Sequence, residues 1–343
     1  MAENGQSLLL ASSPHIVSPV KTRQLMAHVL IALSPATVFG VVLFGLPALL
    51  TVLVSIIAAM AGETAIRCIT RQDIRIGDLS AAVTGLLLAL VLPPSTPLWM
   101  TALGAVFAVV VAKEFFGGLG ANVFNPALIG RAFLLMSFPA AITTWHRPVG
   151  FGTPLTDAVS GPTPLRIVQM GGTLADVGRD LADAGLASSD GYWSMIKTLF
   201  IGYHGGCIGE SSILLILAGA FYLLITKTID WRAPAAMTAA VFLCAALLGL
   251  DPLFSVLSGG ALFGAVFMCT DYVSTPMTAW GKLIFGAGAG IIAVLIRKWG
   301  SYPEGVSYGI LMMNALTPFL NRLLQKKYGF VPKKRAPAGG AAK

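Results

Sequence analysis

A hydroxyl group in a polar loop is the first candidate for chemistry in this sequence. The stretch from Asp157 to Thr163 reads Asp-Ala-Val-Ser-Gly-Pro-Thr. The Thr163 hydroxyl can accept a phosphoryl-linked group if a separate enzyme docks on the loop and a metal ion steadies the phosphates. Gly161 gives the backbone freedom for close approach, and Asp157 and Ser160 can hold the turn through hydrogen bonds to the backbone. The alternative for so short a stretch is an ordinary turn.

Ionisable residues inside apolar segments are the second group of candidates. A charge in hydrocarbon costs several kcal/mol unless it is paired or hydrated. Glu63, Arg131 and Asp271 stand in such segments. Glu63 and Asp271 are predicted near inner helix ends, where a cation or proton could reach them. The alternative is a structural ion pair, such as Arg131 with a carboxylate, or a side chain that extends to the interface.

The cysteines and histidines predict no metal site. Cys68, Cys207, Cys244 and Cys269 are far apart and form no C-x-x-C pair, and the four histidines are scattered. A self-contained iron–sulfur cluster is therefore not expected, and buried apolar positions are the predicted role of the cysteines.

The composition places these residues in a membrane protein. Only 11% of the 343 residues are charged, the mean hydropathy is +0.79, and apolar runs near the length of a membrane span recur. We expect an all-α polytopic fold of about ten transmembrane helices. The predicted spans are 25–44, 47–66, 79–93, 98–116, 124–142, 207–226, 234–250, 253–270, 278–296 and 305–322.

The distribution of lysine and arginine predicts the orientation. With the N-terminus inside, the inner segments and the basic tail carry most of these residues, and the outer segments carry few. Both termini are therefore predicted to be cytoplasmic, with the long loop that carries Thr163 on the outer, periplasmic face of a bacterial inner membrane. The net charge of +8 is read as this topology signal and as an attraction to anionic membrane lipid, with no nucleic-acid partner.

The two halves of the chain look like copies. A constant offset aligns Gly85 with Gly264 and Ser95–Pro97 with Ser274–Pro276. Because five spans per half is an odd number, the second copy is predicted to be inverted, an arrangement that places broken helices and ligand sites at the repeat interface. The predicted divisions are a segment 1–24, a first repeat 25–142, an outer loop 143–206, a second repeat 207–322 and a cytoplasmic tail 323–343.

Several longer segments resemble one protein family. The similarity to signatures of the NqrB/RnfD family covers, in chain order, Lys113–Ala127, Gly130–Phe133, Ile208–Ser212, Trp231–Pro234, Thr270-Asp271 and Tyr302–Val306. The pattern that ends at Thr163 resembles the site at which that family attaches FMN to threonine. The short N-terminal segment is closer to the Rnf branch than to the NqrB branch. Position 162 departs from the family pattern, because proline replaces a small residue and stiffens the turn.

The resemblance implies a redox protein. It implies FMN bound covalently to Thr163 through its phosphate, with Asp157, Ser160 and Gly161 completing the motif, and a non-covalent riboflavin between membrane helices. It also implies a subunit of an ion-translocating oxidoreductase that is catalytically incomplete alone. The implied partners are Rnf subunits A, B, C, E and G and a flavin transferase for maturation. The chain would couple ferredoxin and NAD redox chemistry to Na⁺ or H⁺ movement, the ion being left open.

The family's riboflavin region matches Asn122 and Asn125. An amide side chain beside a helix start can donate to and accept from the uracil edge of a flavin in a water-poor site. The alternative is that Asn125 caps the fifth helix, with Pro126 in its first position. The alternative function for the whole chain is a solute channel similar to urea transporters, without redox activity, because an inverted five-helix repeat also suits small polar solutes.

Overall fold

The computed structural model describes residues 21–74, 76–148, 161–183, 191–300 and 304–324. The first half folds into α1 (Thr22–Phe44), α2 (Leu46–Ile69), α3 (Ser80–Leu90), α4 (Leu98–Val110), α5 (Pro126–Ser137) and the single turn α6 (Pro139–Ile142). Gly45 separates α1 from α2 with a φ of 73°, a conformation that glycine adopts without steric cost. Pro47 follows in the first turn of α2, where its missing N–H would have no helical partner.

The described residues of the loop between the halves form three short helices. These are α7 (Pro164–Gln169), α8 (Leu174–Asp183) and α9 (Tyr192–Ile201). Leu165, Val177, Leu181 and Leu199 pack into a small apolar core together with Phe254 from the second half. The loop is therefore a packed unit that rests on one end of the second half.

In the described residues of the second half, four helices of 13 to 21 residues flank one segment that is broken into short turns. This half comprises α10 (Ile213–Ile225), α11 (Arg232–Leu247), α12 (Pro252–Leu257), α13 (Ala261–Phe263), a π turn (Gly264–Met268), α14 (Ala279–Trp299) and α15 (Val306–Leu324). The span predicted at 253–270 is thus split into α12, α13 and the π turn. The span predicted at 207–226 contains a helix only from Ile213 onward.

Helix length and composition confirm the predicted class of polytopic α-helical membrane protein. Within the described ranges, four helical stretches are long and apolar enough to cross a membrane: α1, α2, Leu98–Phe116 and α14. The apolar helices α3, α5, α10 and α11 are shorter. An eleven-residue helix such as α3 rises only about 17 Å, roughly half of a hydrocarbon core. All of its residues are buried, so α3 ends inside the protein.

The packing order is the same in both halves. In the first half α2 packs against α3 and α4, and α4 packs against α5; in the second half α11 packs against α12 and α14, and α14 packs against α15. The halves meet where α1 contacts α10 and where α5 contacts α15. The inversion of one half relative to the other, and the predicted division boundaries, stay predictions.

Candidate functional site

Thr163 lies at the start of α7. It is the N-cap residue, and its Oγ1 accepts a hydrogen bond from the Arg166 backbone N–H over 3.2 Å. Pro164 fills the next position, as is typical of a first helical turn. The Thr163 side chain is buried. Asp157 and Ser160 lie outside the described residues, so their predicted roles stay predictions.

An arginine lies close to Gly161, two residues before this threonine. The Gly161 N–H donates to the Trp145 carbonyl over 3.2 Å, and a Cβ added at Gly161 would lie 3.0 Å from Arg147 Nε. Gly161 therefore supplies space for a close approach. The guanidinium of Arg147 pairs with Asp180, but its Nε is buried with no hydrogen-bond partner among the described residues. The Arg147 Nε–H therefore remains available near Gly161, and a charged N–H group of this kind can donate a hydrogen bond to a phosphate oxygen.

Asn125 is a helix cap. Its Oδ1 accepts from the backbone N–H groups of Ala127 and Leu128 at 3.1 and 3.4 Å, and its Nδ2 donates to the Met268 carbonyl at 3.5 Å. The capping alternative is therefore what the structure contains. Asn122 differs in that its Nδ2 donates locally to the Phe124 carbonyl at 3.0 Å. Both asparagines border a cavity.

This cavity brings three of the predicted residues together. Asn122, Asn125 and Asp271 line it, with Lys113 and Tyr272. Its interior of about 70 Å³ is enough for a few water molecules. Further lining residues come from α1, α3, α10 and the π turn, among them Met26, Ser80, Thr84, Leu223 and Phe267. Asp271 accepts a hydrogen bond from the Ser274 hydroxyl over 2.8 Å.

Glu63 lies beside the cavity in a buried ionic group, which we call the Glu63 cluster: Glu63, Arg67, Lys113 and Glu114. Lys113 Nζ lies 2.8 Å from Glu63 Oε1 and 2.6 Å from the Ser80 hydroxyl. Arg67 lies 3.3 Å from Glu63 Oε1 and 3.1 Å from Glu114 Oε1. Two carboxylates and two cations compensate one another, which is what makes their burial tolerable. Glu63 Oε2 has no hydrogen-bond partner within the described ranges.

A second buried group joins the two halves; we call it the Arg131 cluster: Arg131, Cys207, Glu210, Glu304 and Ser307. Arg131 pairs with Glu304 and donates to Ser307 Oγ over 3.1 Å. The Cys207 thiol donates to the Val91 carbonyl over 3.1 Å, and its backbone N–H donates to Glu210 over 2.9 Å. The alternative given for Arg131, a structural pair with a carboxylate, is thus what the structure contains.

The Arg131 cluster also contains an arrangement that scattered cysteines did not predict. One ligand atom each from Cys207, Glu210 and Glu304 lie within 4.8 Å of one another. The Arg131 guanidinium forms an ion pair with the Glu304 carboxylate. The group is therefore an ion pair with a neighbouring thiol, in which Arg131 neutralises one of the three potential metal ligands. The repeat offset that aligns Ser95 with Ser274 places Glu304 at the position of Asn125, a signal that could have singled it out.

Lys113 and Arg67 were not identified from the sequence as partners of Glu63. Both residues were already explained as part of the excess of positive charge on the predicted inner side of the membrane. The i, i+4 spacing of Glu63 and Arg67 and the position of Lys113 at the end of an apolar helix were available signals.

Comparison with known proteins decides the family. The sequence model of the NQR2, RnfD, RnfE family matches residues 9–329. The chain belongs to this family. The resemblance predicted from the signature segments is therefore confirmed. Within the NQR2, RnfD, RnfE family signatures, Lys113, Asn122 and Asn125 line the cavity, while Arg131 and Glu304 form the buried pair.

Similar proteins cover nearly the full length of the chain. The D subunit of the Na⁺-translocating ferredoxin:NAD⁺ oxidoreductase complex of Acetobacterium woodii is 41% identical over 339 residues, 98% of this chain and 100% of the relative. The D subunit of the proton-translocating ferredoxin:NAD⁺ oxidoreductase complex of Clostridium ljungdahlii is 41% identical over 328 residues, 93% of this chain and 96% of the relative. The D subunit of an ion-translocating oxidoreductase complex of Stutzerimonas stutzeri is 40% identical over 327 residues, covering 89% of this chain and 92% of the relative.

Proposed function

We propose that this chain is the D subunit of an Rnf-type ion-translocating oxidoreductase in a bacterial inner membrane. The observation that carries the proposal is its similarity, over nearly the whole chain, to subunits named for ferredoxin:NAD⁺ oxidoreductase complexes. That similarity favours a redox role over the solute-channel alternative. The Na⁺-translocating and the proton-translocating relatives are equally similar to it, so identity does not select the ion.

Thr163 is the proposed attachment point for FMN. In the attachment step, the threonine oxygen forms a bond to the phosphorus of the FMN half of FAD, the bond to the AMP phosphate breaks, AMP leaves, and the hydroxyl proton passes to a base of the transferase. Bound flavin supplies one- and two-electron transfer. The Thr163 hydroxyl is buried and engaged with the Arg166 N–H, so the transferase has to open the segment before α7. Arg147 Nε is the donor that would then hold the phosphate.

The cavity at Asn122 is the proposed place of the riboflavin. Its donors and acceptors, Asn122, Ser80 and Lys113, suit the uracil edge of a flavin. The Asn125 side-chain oxygen already accepts the hydrogen bonds of the α5 cap. Asn125 would therefore contribute to riboflavin binding only by positioning α5. Pockets for ligands of this size measure about 300–1,000 Å³, and the present interior of about 70 Å³ therefore has to widen as side chains move.

Glu63 and Asp271 are the proposed residues of the ion pathway. Asp271 borders the cavity directly, while Glu63 reaches it through Lys113. The Lys113 ammonium is paired with Glu63 Oε1. A translocated cation can therefore bind the Glu63 carboxylate only if Lys113 moves away or if the cation binds at Oε2.

Flavin fluorescence in denaturing gels tests the attachment. Membranes that contain the whole complex should show a fluorescent band for this chain, and Thr163→Val should abolish it, because a phosphoester survives detergent. Thr173→Val is the matched control: Thr173 also accepts from the backbone N–H three residues ahead, in the same loop, but lies outside the motif. Thr163→Ser should be partly modified. A fluorescent Thr163→Val band would move the attachment elsewhere.

Labelling from outside the cell tests the orientation. Ala175→Cys, at an exposed position of α8, should react with an impermeant thiol reagent in intact cells, whereas Arg335→Cys should react only after permeabilisation. Both belong in a Cys68→Ser background, since Cys68 is an exposed cysteine. The opposite pattern would overturn the outer position of Thr163.

A further inference from the structure

Helices α10 and α11 follow each other in the chain but form no substantial direct packing within the described residues. Between them lies an apolar groove of about 690 Å³, with its floor on α12, α13 and the π turn. Leu217 and Leu224 on one wall and Phe242 and Leu243 on the other are all exposed. The groove therefore opens to the surroundings of the protein, which for a polytopic membrane protein are lipid or another subunit.

The groove continues into a polar pocket at one end. This pocket, of about 590 Å³, is bordered by Lys227, Asp230 and Lys282 in and near the connection between α10 and α11. Leu224, Ile229 and Trp231 line both spaces. The two spaces thus form one cleft with a charged end and an apolar body. The exposed Trp231 indole lies at their junction, a position typical of the membrane interface.

The carboxylates of the pocket already have partners, and none of them pairs with Lys227 in the described residues. Asp230 is engaged by Lys282 and Arg232, each at 3.0 Å, and Asp271 is held by the Ser274 hydroxyl. The Lys227 ammonium forms no hydrogen bond or ion pair within the described part of the chain, and the side chain is exposed. The pocket therefore presents an ammonium group to whatever occupies it.

The backbone at Lys227 is also unusual. Lys227 has a φ of 53°, in the left-handed region that glycine normally fills after a helix. Its N–H donates to the Leu224 carbonyl over 3.1 Å, and the Tyr272 hydroxyl donates to the Thr228 carbonyl. A lysine held at a glycine position is strained, and strain of this kind commonly marks a functional position.

We propose that this cleft binds one anionic phospholipid, with its phosphate at Lys227 and Lys282 and its acyl chains in the groove. The length of the groove favours a lipid over a partner's transmembrane helix. On α11 its lining runs from Pro234 to Leu243, a rise of about 14 Å at 1.5 Å per residue. That matches the roughly 15 Å depth of one leaflet, half of a hydrocarbon core, whereas a spanning helix would need about twice as much.

Quenching of Trp231 fluorescence tests this site. The complex is reconstituted into phosphatidylcholine vesicles that contain either phosphatidylglycerol or phosphatidylcholine with brominated acyl chains, and Trp231→Phe identifies the emission of this tryptophan. We expect brominated phosphatidylglycerol to quench Trp231 at a several-fold lower mole fraction than brominated phosphatidylcholine. Lys227→Gln and Lys282→Gln should each weaken that preference about fivefold. Lys197→Gln, an exposed lysine of α9, should leave it unchanged.

Three outcomes would overturn the proposal, two in the quenching experiment and one in the lipid analysis. Equal quenching by the two lipids in the wild-type complex would mean that no anionic lipid is selected. Absence of quenching, together with cross-linking of Ala239→Cys in the groove to another subunit, would make the cleft a protein interface. If a lysine variant fails to assemble, mass spectrometry of the wild-type complex after detergent exchange decides: about one retained phosphatidylglycerol per chain supports the site, and none contradicts it. The result is independent of flavin attachment at Thr163.

Discussion

The two buried polar clusters differ in origin and in what surrounds them. All four members of the Glu63 cluster come from the first half, and Lys113 also borders the cavity. The Arg131 cluster joins α5 to the start of α15 and to the segment before α10. In the Glu63 cluster, both Arg67 and Lys113 pair with the Glu63 carboxylate. We infer that the Arg131 cluster fixes the two halves together, while the Glu63 cluster can rearrange beside its cavity.

The largest predicted effect follows from breaking the Arg131 pair. Arg131→Met should leave the Glu304 carboxylate buried without its cation and lower the free energy of unfolding by about 3–5 kcal/mol. Replacing both residues, Arg131→Met with Glu304→Met, should recover most of this loss, because no unpaired charge remains. The midpoint of thermal unfolding in detergent and the yield of assembled complex measure both. A single variant as stable as the wild type would show that the pair does not fasten the halves.

Removal of Lys113 should cost less. In Lys113→Met the Glu63 carboxylate keeps Arg67 at 3.3 Å, and water can enter from the cavity, so we expect a loss of about 1–3 kcal/mol in the free energy of unfolding. Redox-driven ion uptake into vesicles should fall while the Thr163 fluorescence stays constant. If Lys113→Met destabilises the protein as much as Arg131→Met does, the two clusters are equally structural and the contrast between them fails.

The contrast between the clusters also marks how far the sequence could be interpreted alone. The apolar helical segments, the polar loop and the position of Glu63 in an apolar segment follow from hydropathy, because each depends on a local run of residues. The Arg131 and Glu304 pair could not be derived this way, since its members are far apart in the chain and meet only through the packing of α5 on α15. The family signatures marked both positions without indicating that they touch.

The sequence predicts broken helices in both halves, but it does not predict where the second-half helix breaks. The short apolar stretches that end at Pro93-Pro94 and at Asp271 predict half helices, and α3 in the first half is one. In the second half the chain breaks inside the predicted span 253–270, between α12 and α13, where apolar residues continue across the break. Gly259 and Gly260, both with left-handed φ values, interrupt this span, and the Glu210 carboxylate lies where a side chain at Gly260 would be. Hydropathy does not detect such a break.

The two asparagines offer a comparison within the cavity itself. Asn122→Leu should reduce the riboflavin that can be extracted from the purified complex by roughly tenfold to hundredfold, since one lost buried partner costs about 1–3 kcal/mol. Asn125→Leu should instead lower stability by about 1 kcal/mol through loss of the α5 cap, and extractable flavin should fall only as assembly falls. The Thr163 fluorescence serves as the internal reference in both. Full flavin retention in an assembled Asn122→Leu complex would remove this residue from the proposed site.

The smallest predicted effect concerns the partly exposed ion pairs of Asp230, the counterpart of the buried clusters. Burial acts to raise the pKa of Asp230, but hydrogen bonds from Lys282 and from the Arg232 backbone outweigh it and hold this pKa below the usual aspartate value. A carboxylate with a lowered folded-state pKa stabilises the protein at neutral pH, and this contribution is lost as the pH falls through that lowered value. The three side chains remain partly exposed, so we expect Asp230→Asn to cost no more than about 1 kcal/mol. Unfolding midpoints should differ between wild type and Asp230→Asn at neutral pH and converge in acid. A difference that persists in acid would assign the loss to packing.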